Sequence, residues 1–420
     1  MYSIVLGLGK SGKAAKELLE KNGYSVDVYD KNKKINEINF SKDYLIAVIS
    51  PGVSGDKIIS EIEKRDIPII SEIELAYRYV NFPTVAVTGT NGKSTVVKLI
   101  KEMLCQSGYR AEITGNFGYP YSLLCERTDI VAVLEASSFQ LERVDKFSPD
   151  VAVITNITPD HMDRYDSFDS YVNAKKNIFK NQLSSDLLIA NYDDITVREI
   201  VKDAKSKVLY FSRENKVNGC YLDNGCIVVN RGGKIVRLID VSDLYSSYPF
   251  EIENCLCALT FGLAVGLGLG DILSVVKNYN GLKHRLDLVG EYGGKRYYDN
   301  SKATNVASCL ASVNAINGNI ALILGGSSKN EDFKSLFEKL PKKVKYIAVC
   351  GANSESIIKS SGIYNTITKK YADLESIIQN LATMEGIDAV IYAPSSASFD
   401  KYSGFEERGE VFCSLVKKFA

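Results

Sequence analysis

Residues 89–95 read Gly89-Thr90-Asn91-Gly92-Lys93-Ser94-Thr95, and these types at this spacing suit phosphate. The glycines let backbone N–H groups converge on phosphate oxygens. Lys93 adds a full positive charge, and the Ser94 hydroxyl can ligate Mg²⁺. Val87 stands where the full eight-residue pattern has its first glycine. A second glycine loop, Gly7-Leu8-Gly9-Lys10-Ser11-Gly12, precedes Asp30 by about 20 residues. That layout serves a dinucleotide, or only the packing of a helix on a strand. Glu135 reads as a Mg²⁺ ligand or as a capping carboxylate. His161, one of two histidines, lies between Asp160 and Asp163 and reads as a second metal ligand or a structural residue. Lys175 and Lys176 fall on a helical stretch and read by default as a solvated face.

The elements that carry these groups are strands and helices in alternation. Val85–Val87 reads as a buried strand, the glycines as a turn, and Lys93 onward as a helix. Strands at 4–6, 25–29 and 45–49 build the first unit, the last ending in Ser50-Pro51-Gly52. Glu135 ends the strand 130–134, and His161 follows the strand 151–154, which places both at one sheet edge. Ligands of open α/β sheets sit at the C-terminal edge. Further strands are expected at 187–190, 208–211 and 226–229. Strands at 320–324, 346–349 and 389–392 alternate with helices and predict a second doubly wound unit. The expected class is α/β. An N-terminal Rossmann-like domain covers 1–82, a central phosphate-loop domain 83–280, and a C-terminal Rossmann-like domain 281–420, with Phe82-Pro83 at the first boundary.

The bulk composition fits that plan. A length of 420 residues suggests about three domains. Lys+Arg and Asp+Glu balance at 51 each, so charge points to neither nucleic acid nor an anionic membrane. No apolar run is long enough for a bilayer. Residues 1–6 lead straight into a glycine turn, which reads as a strand and not a signal peptide. The nine cysteines are scattered without metal-site spacing, so buried free thiols in a reducing cytoplasm are expected.

Three motifs together carry a resemblance. Gly-Thr-Asn-Gly-Lys-Ser-Thr, Glu135 followed by Ser-Ser-Phe-Gln-Leu-Glu, and Asp160-His161-Met162-Asp163-Arg164-Tyr165 look like the Mur ligases. These are ATP-dependent amide-forming enzymes of peptidoglycan precursor synthesis. The resemblance implies a three-domain Mur ligase architecture: UDP-binding, ATP-binding and amino-acid-binding domains in order. It implies an ATP site over Gly89, Thr90, Asn91, Gly92, Lys93, Ser94, Thr95, Asn254, Arg285 and Asn300. It implies two Mg²⁺ ions held by Ser94, Glu135, His161 and a carbamylated Lys175, in the Tyr-x-x-Ala-Lys context. Lys93, Asn116, His161 and Lys175 are its implied catalytic set.

Other positions carry the likeness further. Lys10, Ser11, Asp30, Ser50 and Asn116 match UDP-sugar contacts, although Lys31-Asn32 replaces the family's Thr-Arg. Cys257 stands where the family has a second adenine-contacting asparagine, and Asn300 where it has aspartate. The tail 394–409 resembles the glutamate-adding branch, in which Lys302, Thr304, Lys329, Ser398 and Phe405 would surround D-glutamate. The implied substrates are UDP-N-acetylmuramoyl-L-alanine and D-glutamate, joined through an acyl phosphate by a monomeric enzyme. Alternatives are another Mur-type or folylpolyglutamate ligase of the same architecture, or a nucleotide-gated regulatory protein without chemistry.

Overall fold

Apolar runs bounded by glycine turns become the strands of three sheets in a computed structural model that describes residues 1–327, 332–362 and 366–420. The first sheet has order β3-β2-β1-β4-β5. Its elements are β1 (Tyr2–Leu6), α1 (Lys10–Lys21), β2 (Ser25–Asp30), β3 (Ile35–Asn36), β4 (Tyr44–Ile49), α2 (Lys57–Glu63), β5 (Ile69–Ser71) and α3 (Glu72–Tyr77). Only β3 runs antiparallel to its neighbour.

The second sheet has order β14-β13-β12-β11-β10-β9-β6-β8-β7. It contains β6 (Thr84–Thr88), α4 (Lys93–Gln106), β7 (Ala111–Gly115), β8 (Val131–Glu135), α5 (Ser138–Leu141), β9 (Val151–Ile154), α6 (Phe168–Lys176), β10 (Leu187–Asn191), α7 (Ile195–Ile200), β11 (Lys207–Ser212), β12 (Gly219–Asp223), β13 (Cys226–Arg231) and β14 (Lys234–Asp240). Two helices follow, α8 (Pro249–Ala264) and α9 (Leu269–Asn278). β6 and β9 are buried along their whole length, as strands covered on both faces must be. Strands β12 and β14 are additions to the expected set; they turn the far edge antiparallel through β13.

The third sheet has order β15-β16-β20-β17-β18-β19. It is built from β15 (Asp287–Tyr292), β16 (Lys295–Asp299), α10 (Val306–Ala315), β17 (Ile320–Leu324), α11 (Phe333–Lys339), β18 (Val344–Val349), α12 (Ser354–Ser361), β19 (Ile367–Lys370), α13 (Leu374–Thr383), β20 (Ala389–Tyr392) and α14 (Phe405–Phe419). Apart from the β15–β16 hairpin, its pairs are parallel. Ile320–Leu324 is fully buried between two apolar clusters, one on each face.

The chain forms two compact units. One is Met1–Ile157, Ser167–Ser247 and Glu251–Tyr279; the other is Thr158–Asp166, Tyr248–Phe250 and Asn280–Ala420. The first two sheets share the first unit, and α3 ties them through buried carboxylates. Glu74 Oε2 accepts the backbone N–H groups of Asp145, Lys146 and Phe147 at 3.0, 3.0 and 2.9 Å. Glu72 Oε1 accepts the Ser122 N–H at 2.6 Å, and burial raises the Glu72 carboxyl above its ordinary pKa.

Candidate active site

The phosphate loop leaves the C-terminal end of β6, between β9 and β8. Gly89 (φ 149°) and Gly92 (φ 85°) sit where glycine is favoured. A Cβ on Gly89 would lie 1.9 Å from Thr155 Oγ1, so the loop can lie this close to β9 only with glycine there. Residues just after β9 clamp the turn. The Thr90 N–H donates to Asn156 O at 2.8 Å, the Asn91 N–H to Asn156 Oδ1 at 2.9 Å, and Thr155 Oγ1 to Asn91 O at 2.6 Å. Helix α4 then starts at Lys93 with no side-chain cap, which leaves its N-terminal dipole to act on an anion. Ser94 and Thr95 lie in its first turn, both buried.

Lys175 departs from the solvated position its local sequence suggests. It is 2% exposed, and its Nζ donates to Gly89 O at 2.8 Å. Lys93 Nζ donates to the same oxygen at 2.9 Å and to Thr90 O at 2.9 Å. Two ammonium groups thus converge on one carbonyl. Like charges this close disfavour each other, and an arriving phosphate relieves that repulsion. Tyr171, one helical turn before Lys175, holds the arrangement: its ring centroid is 4.7 Å from Lys175 Nζ and its hydroxyl 3.0 Å from Thr90 Oγ1. Lys176 turns outward to a surface ion pair with Asp203, as a solvated lysine does.

Glu135 ends β8, where it pairs in register with Val87 of β6, two residues before Gly89. It is 2% exposed, and its Oε1 accepts Asn116 Nδ2 at 2.7 Å. Gly115 permits this approach, since a Cβ there would lie 2.4 Å from Glu135 O. A carboxylate, a serine hydroxyl and the loop therefore occupy neighbouring strand ends. That donor set fits a Mg²⁺ held jointly with phosphate oxygens. Among the described residues no group of three His, Cys, Asp or Glu side chains is placed to hold an ion by itself.

His161 belongs to the second compact unit. Its backbone is left-handed (φ 58°), its N–H donates to Asp160 Oδ1 at 2.8 Å, and Asp160 Oδ2 accepts Asn305 Nδ2 at 3.2 Å. The strand before it, β9, is separated from β8 by β6 in the sheet.

Asn254 lies on α8 with its Oδ1 where a Cβ on Gly92 would be 2.6 Å away. Cys257 is fully buried, so this position faces the core and offers nothing to a ligand. In the first sheet, Lys10 and Ser11 open α1, which has no side-chain cap. Asp30 Oδ2 accepts the Leu8 N–H at 2.7 Å and Oδ1 the Lys33 N–H at 2.9 Å; these bonds, Leu8 first, hold its carboxyl below the ordinary pKa. Ser50 Oγ donates to Gly7 O at 3.0 Å. Both residues brace the glycine loop. Beside it Tyr29, Lys31, Asp56 and Lys57 line a cleft of about 460 Å³.

In the second unit, Asp299 is spent internally. Its Oδ1 accepts the Ser301 N–H at 2.9 Å, and its Oδ2 lies 2.6 Å from His284 Nδ1. Asn300 donates Nδ2 to Ser312 Oγ at 2.5 Å, and Arg285 is half-buried. Lys302 Nζ sits 4.1 Å from the Phe405 ring centroid; Thr304 is half-buried and Ser398 buried. Lys329 lies outside the described residues. Sequence reasoning missed Arg408. This buried guanidinium donates from Nη1 to Ser396 O and Ala397 O, both at 3.0 Å, and from Nη2 to Ser301 O at 2.7 Å. It draws the Lys302–Thr304 loop and the Ser398 turn to the start of α14.

A phosphate loop with a buried lysine from a later helix and a strand-end glutamate, on an α/β fold of three sheets, defines a class of phosphate-loop, nucleotide-binding proteins. The chain belongs to the Mur ligase family: residues 87–260 match the Mur ligase middle domain and residues 284–396 the Mur ligase glutamate ligase domain. It is 32% identical to the UDP-N-acetylmuramoylalanine--D-glutamate ligase of Thermoanaerobacter sp. (strain X514), over 98% of this chain and 97% of that one. It is 36% identical to the enzyme of the same name from Alkaliphilus oremlandii, over 93% of this chain and 87% of that one. Among solved structures, the MurF ligase from Thermotoga maritima in complex with ADP shares the fold, with a TM-score of 0.61 and 16% identity over 100% of this chain and 95% of that one.

Proposed function

We propose that this chain joins D-glutamate to UDP-N-acetylmuramoyl-L-alanine, with ATP cleaved to ADP and phosphate. The alanine carboxylate takes the γ-phosphoryl group, ADP leaves, and the glutamate amine displaces phosphate from the acyl phosphate to form the amide. The observation that carries the reading is the convergence of Lys93 and Lys175 on the Gly89 carbonyl beside Glu135. It supports a site that gathers charge around a transferring phosphoryl group, where such reactions are mainly catalysed.

Lys93 and the N-terminus of α4 bind the phosphates. Ser94 and Glu135 would hold one Mg²⁺, and His161 with a carbamylated Lys175 a second; bound there, the ions would neutralise phosphate charge. The buried Lys175 ammonium loses one proton, its free amine adds to CO₂, and a second proton leaves to give the carbamate anion, which the neighbouring Lys93 ammonium favours. Asn116, anchored on Glu135, orients the acyl group. Asn254, Arg285 and Asn300 complete the nucleotide site. Lys10, Ser11, Asp30 and Ser50 form the UDP end, within a domain of residues 1–82. Residues 83–280 form the ATP domain. Lys302, Thr304, Lys329, Ser398 and Phe405 bind D-glutamate within 281–420. The enzyme works as a monomer in the cytoplasm, and no described helix is long and apolar enough to cross a membrane. ADP release is the direct test. It should require the UDP-sugar and rise sharply with D-glutamate. Release indifferent to both would overturn the ligase reading.

A further inference from the structure

His161 takes a left-handed backbone (φ 58°), which a residue other than glycine keeps only with help from its neighbours. His161 O accepts the N–H groups of Arg164 and Tyr165 at 3.0 and 3.2 Å, and the His161 N–H donates to Asp160 Oδ1 at 2.8 Å. The other Asp160 oxygen is bound from a distant point of the chain. Asn305, 4% exposed, donates from Nδ2 to Asp160 Oδ2 at 3.2 Å. Its amide cannot turn over without loss, because Oδ1 caps α10 by accepting the Ser308 N–H at 2.9 Å. Asn305 also closes the loop that carries Lys302 and Thr304. That loop is folded on itself: the Ala303 N–H donates to Asn300 O at 2.9 Å and the Thr304 N–H to Lys302 O at 2.8 Å. A fixed helix end thus reaches the His161 backbone through one carboxamide and one carboxylate, all within the second compact unit. Asp160 Oδ2 also lies 3.9 Å from His161 Nε2. Without the Asn305 donor that oxygen would compete for the ring N–H and draw the imidazole out of line.

We propose that Asn305 is a positioning residue: acting through Asp160, it sets the backbone and ring of His161, and so holds the second metal's ligand and the D-glutamate loop as one piece. The proposal rests on the assignment of His161 to Mg²⁺ and of Lys302 and Thr304 to D-glutamate. A change at Asn305 then weakens Mg²⁺ and D-glutamate together.

Asn305→Asp keeps the cap, since aspartate caps as well as asparagine, but sets an acceptor against Asp160. In ADP-release assays on the full chain, KM for D-glutamate and half-saturating Mg²⁺ should each rise roughly tenfold or more, as loss of a hydrogen bond to a charged group implies, while KM for the UDP-sugar holds. Adding Asp160→Asn puts a donor opposite the new acceptor and returns the pair to its original net charge, so most of the loss should be recovered. A residue that only caps α10 would give neither the split nor the rescue, and the absence of either in folded variants overturns the proposal. A second arm needs no turnover and decides if Asn305→Asp does not fold. Asn305→Ser keeps a cap but is too short to reach Asp160. The chain has two histidines, so ring-labelled NMR of the full chain without metal or nucleotide should show the His161 signals displaced and those of His284 in place. Unmoved His161 signals overturn the proposal. Should the unaltered chain release no ADP with its substrates, the ligase reading falls, and the ring signals still decide whether Asn305 positions His161.

Discussion

Asp299→Asn should lower the pKa of His284 and remove about 1.5–3 kcal/mol of stability on the acid side of neutrality, because it deletes a hydrogen bond to an ionised group. His284 is 8% exposed and Asp299 fully buried, with 2.6 Å between Nδ1 and Oδ2. A hydrogen bond to an ionised group contributes about 1.5–3 kcal/mol. The Asp299 bond raises the His284 pKa above 6.5; burial opposes it, and Asp287 and Glu410 add attraction that the variant keeps. Because the folded-state value is raised, the stabilisation is complete below the unfolded value, about 6.5. It is lost as pH climbs through the folded value. The variant should therefore be least stable, relative to the unaltered chain, on the acid side of neutrality, and the gap should close at alkaline pH. The chain has two histidines, so ring-labelled NMR gives two titration curves, and His284→Gln assigns them. Chemical denaturation at several pH values supplies the stability series. An unchanged His284 midpoint in folded Asp299→Asn would refute the reasoning.

Lys93→Ala should abolish phosphate release while leaving the near-ultraviolet dichroism intact; near-normal turnover would remove Lys93 from the loop's chemistry. Lys175→Ala should lose most activity, with partial rescue by formate or acetate in the gap, whereas Lys176→Ala should lose little because its partner Asp203 is on the surface. Full activity of Lys175→Ala, measured as ADP release, would end the carbamate assignment. L-glutamate should be a poor substrate in a product assay, since one misplaced carboxylate leaves a charged partner unmatched; equal use of both isomers would refute the proposed pocket.

The phosphate loop was legible because a buried strand, a glycine turn and Lys-Ser are all local features. The burial of Lys175 was not. Lys175 and Lys176 are adjacent and alike in type, composition alone reads both as solvated, and only the Tyr-x-x-Ala-Lys context of the family resemblance singled out Lys175. Tyr171 held the clue, being four residues earlier on the same face and 1% exposed. Strands β12 and β14 escaped because they owe their form to pairing with β13; β14 is mostly exposed and lacks a buried apolar run. The internal use of Asp299 depends on His284, which reaches it across 15 positions of chain. Arg408 likewise acts over 107 positions on Ser301. Such pairings carry no local signature.

The position of β6 in its sheet has a consequence for synthesis. Both its neighbours, β8 and β9, come later in the chain, and Asn156 closes the glycine turn from beyond β9. On the ribosome, the loop that starts at Gly89 cannot take its shape until Asn156 has left the exit tunnel. At about 5–20 residues per second the wait lasts several seconds. During that time the nascent β6, apolar on both faces, has no sheet to enter, which leaves this stretch exposed to misassociation unless it is shielded.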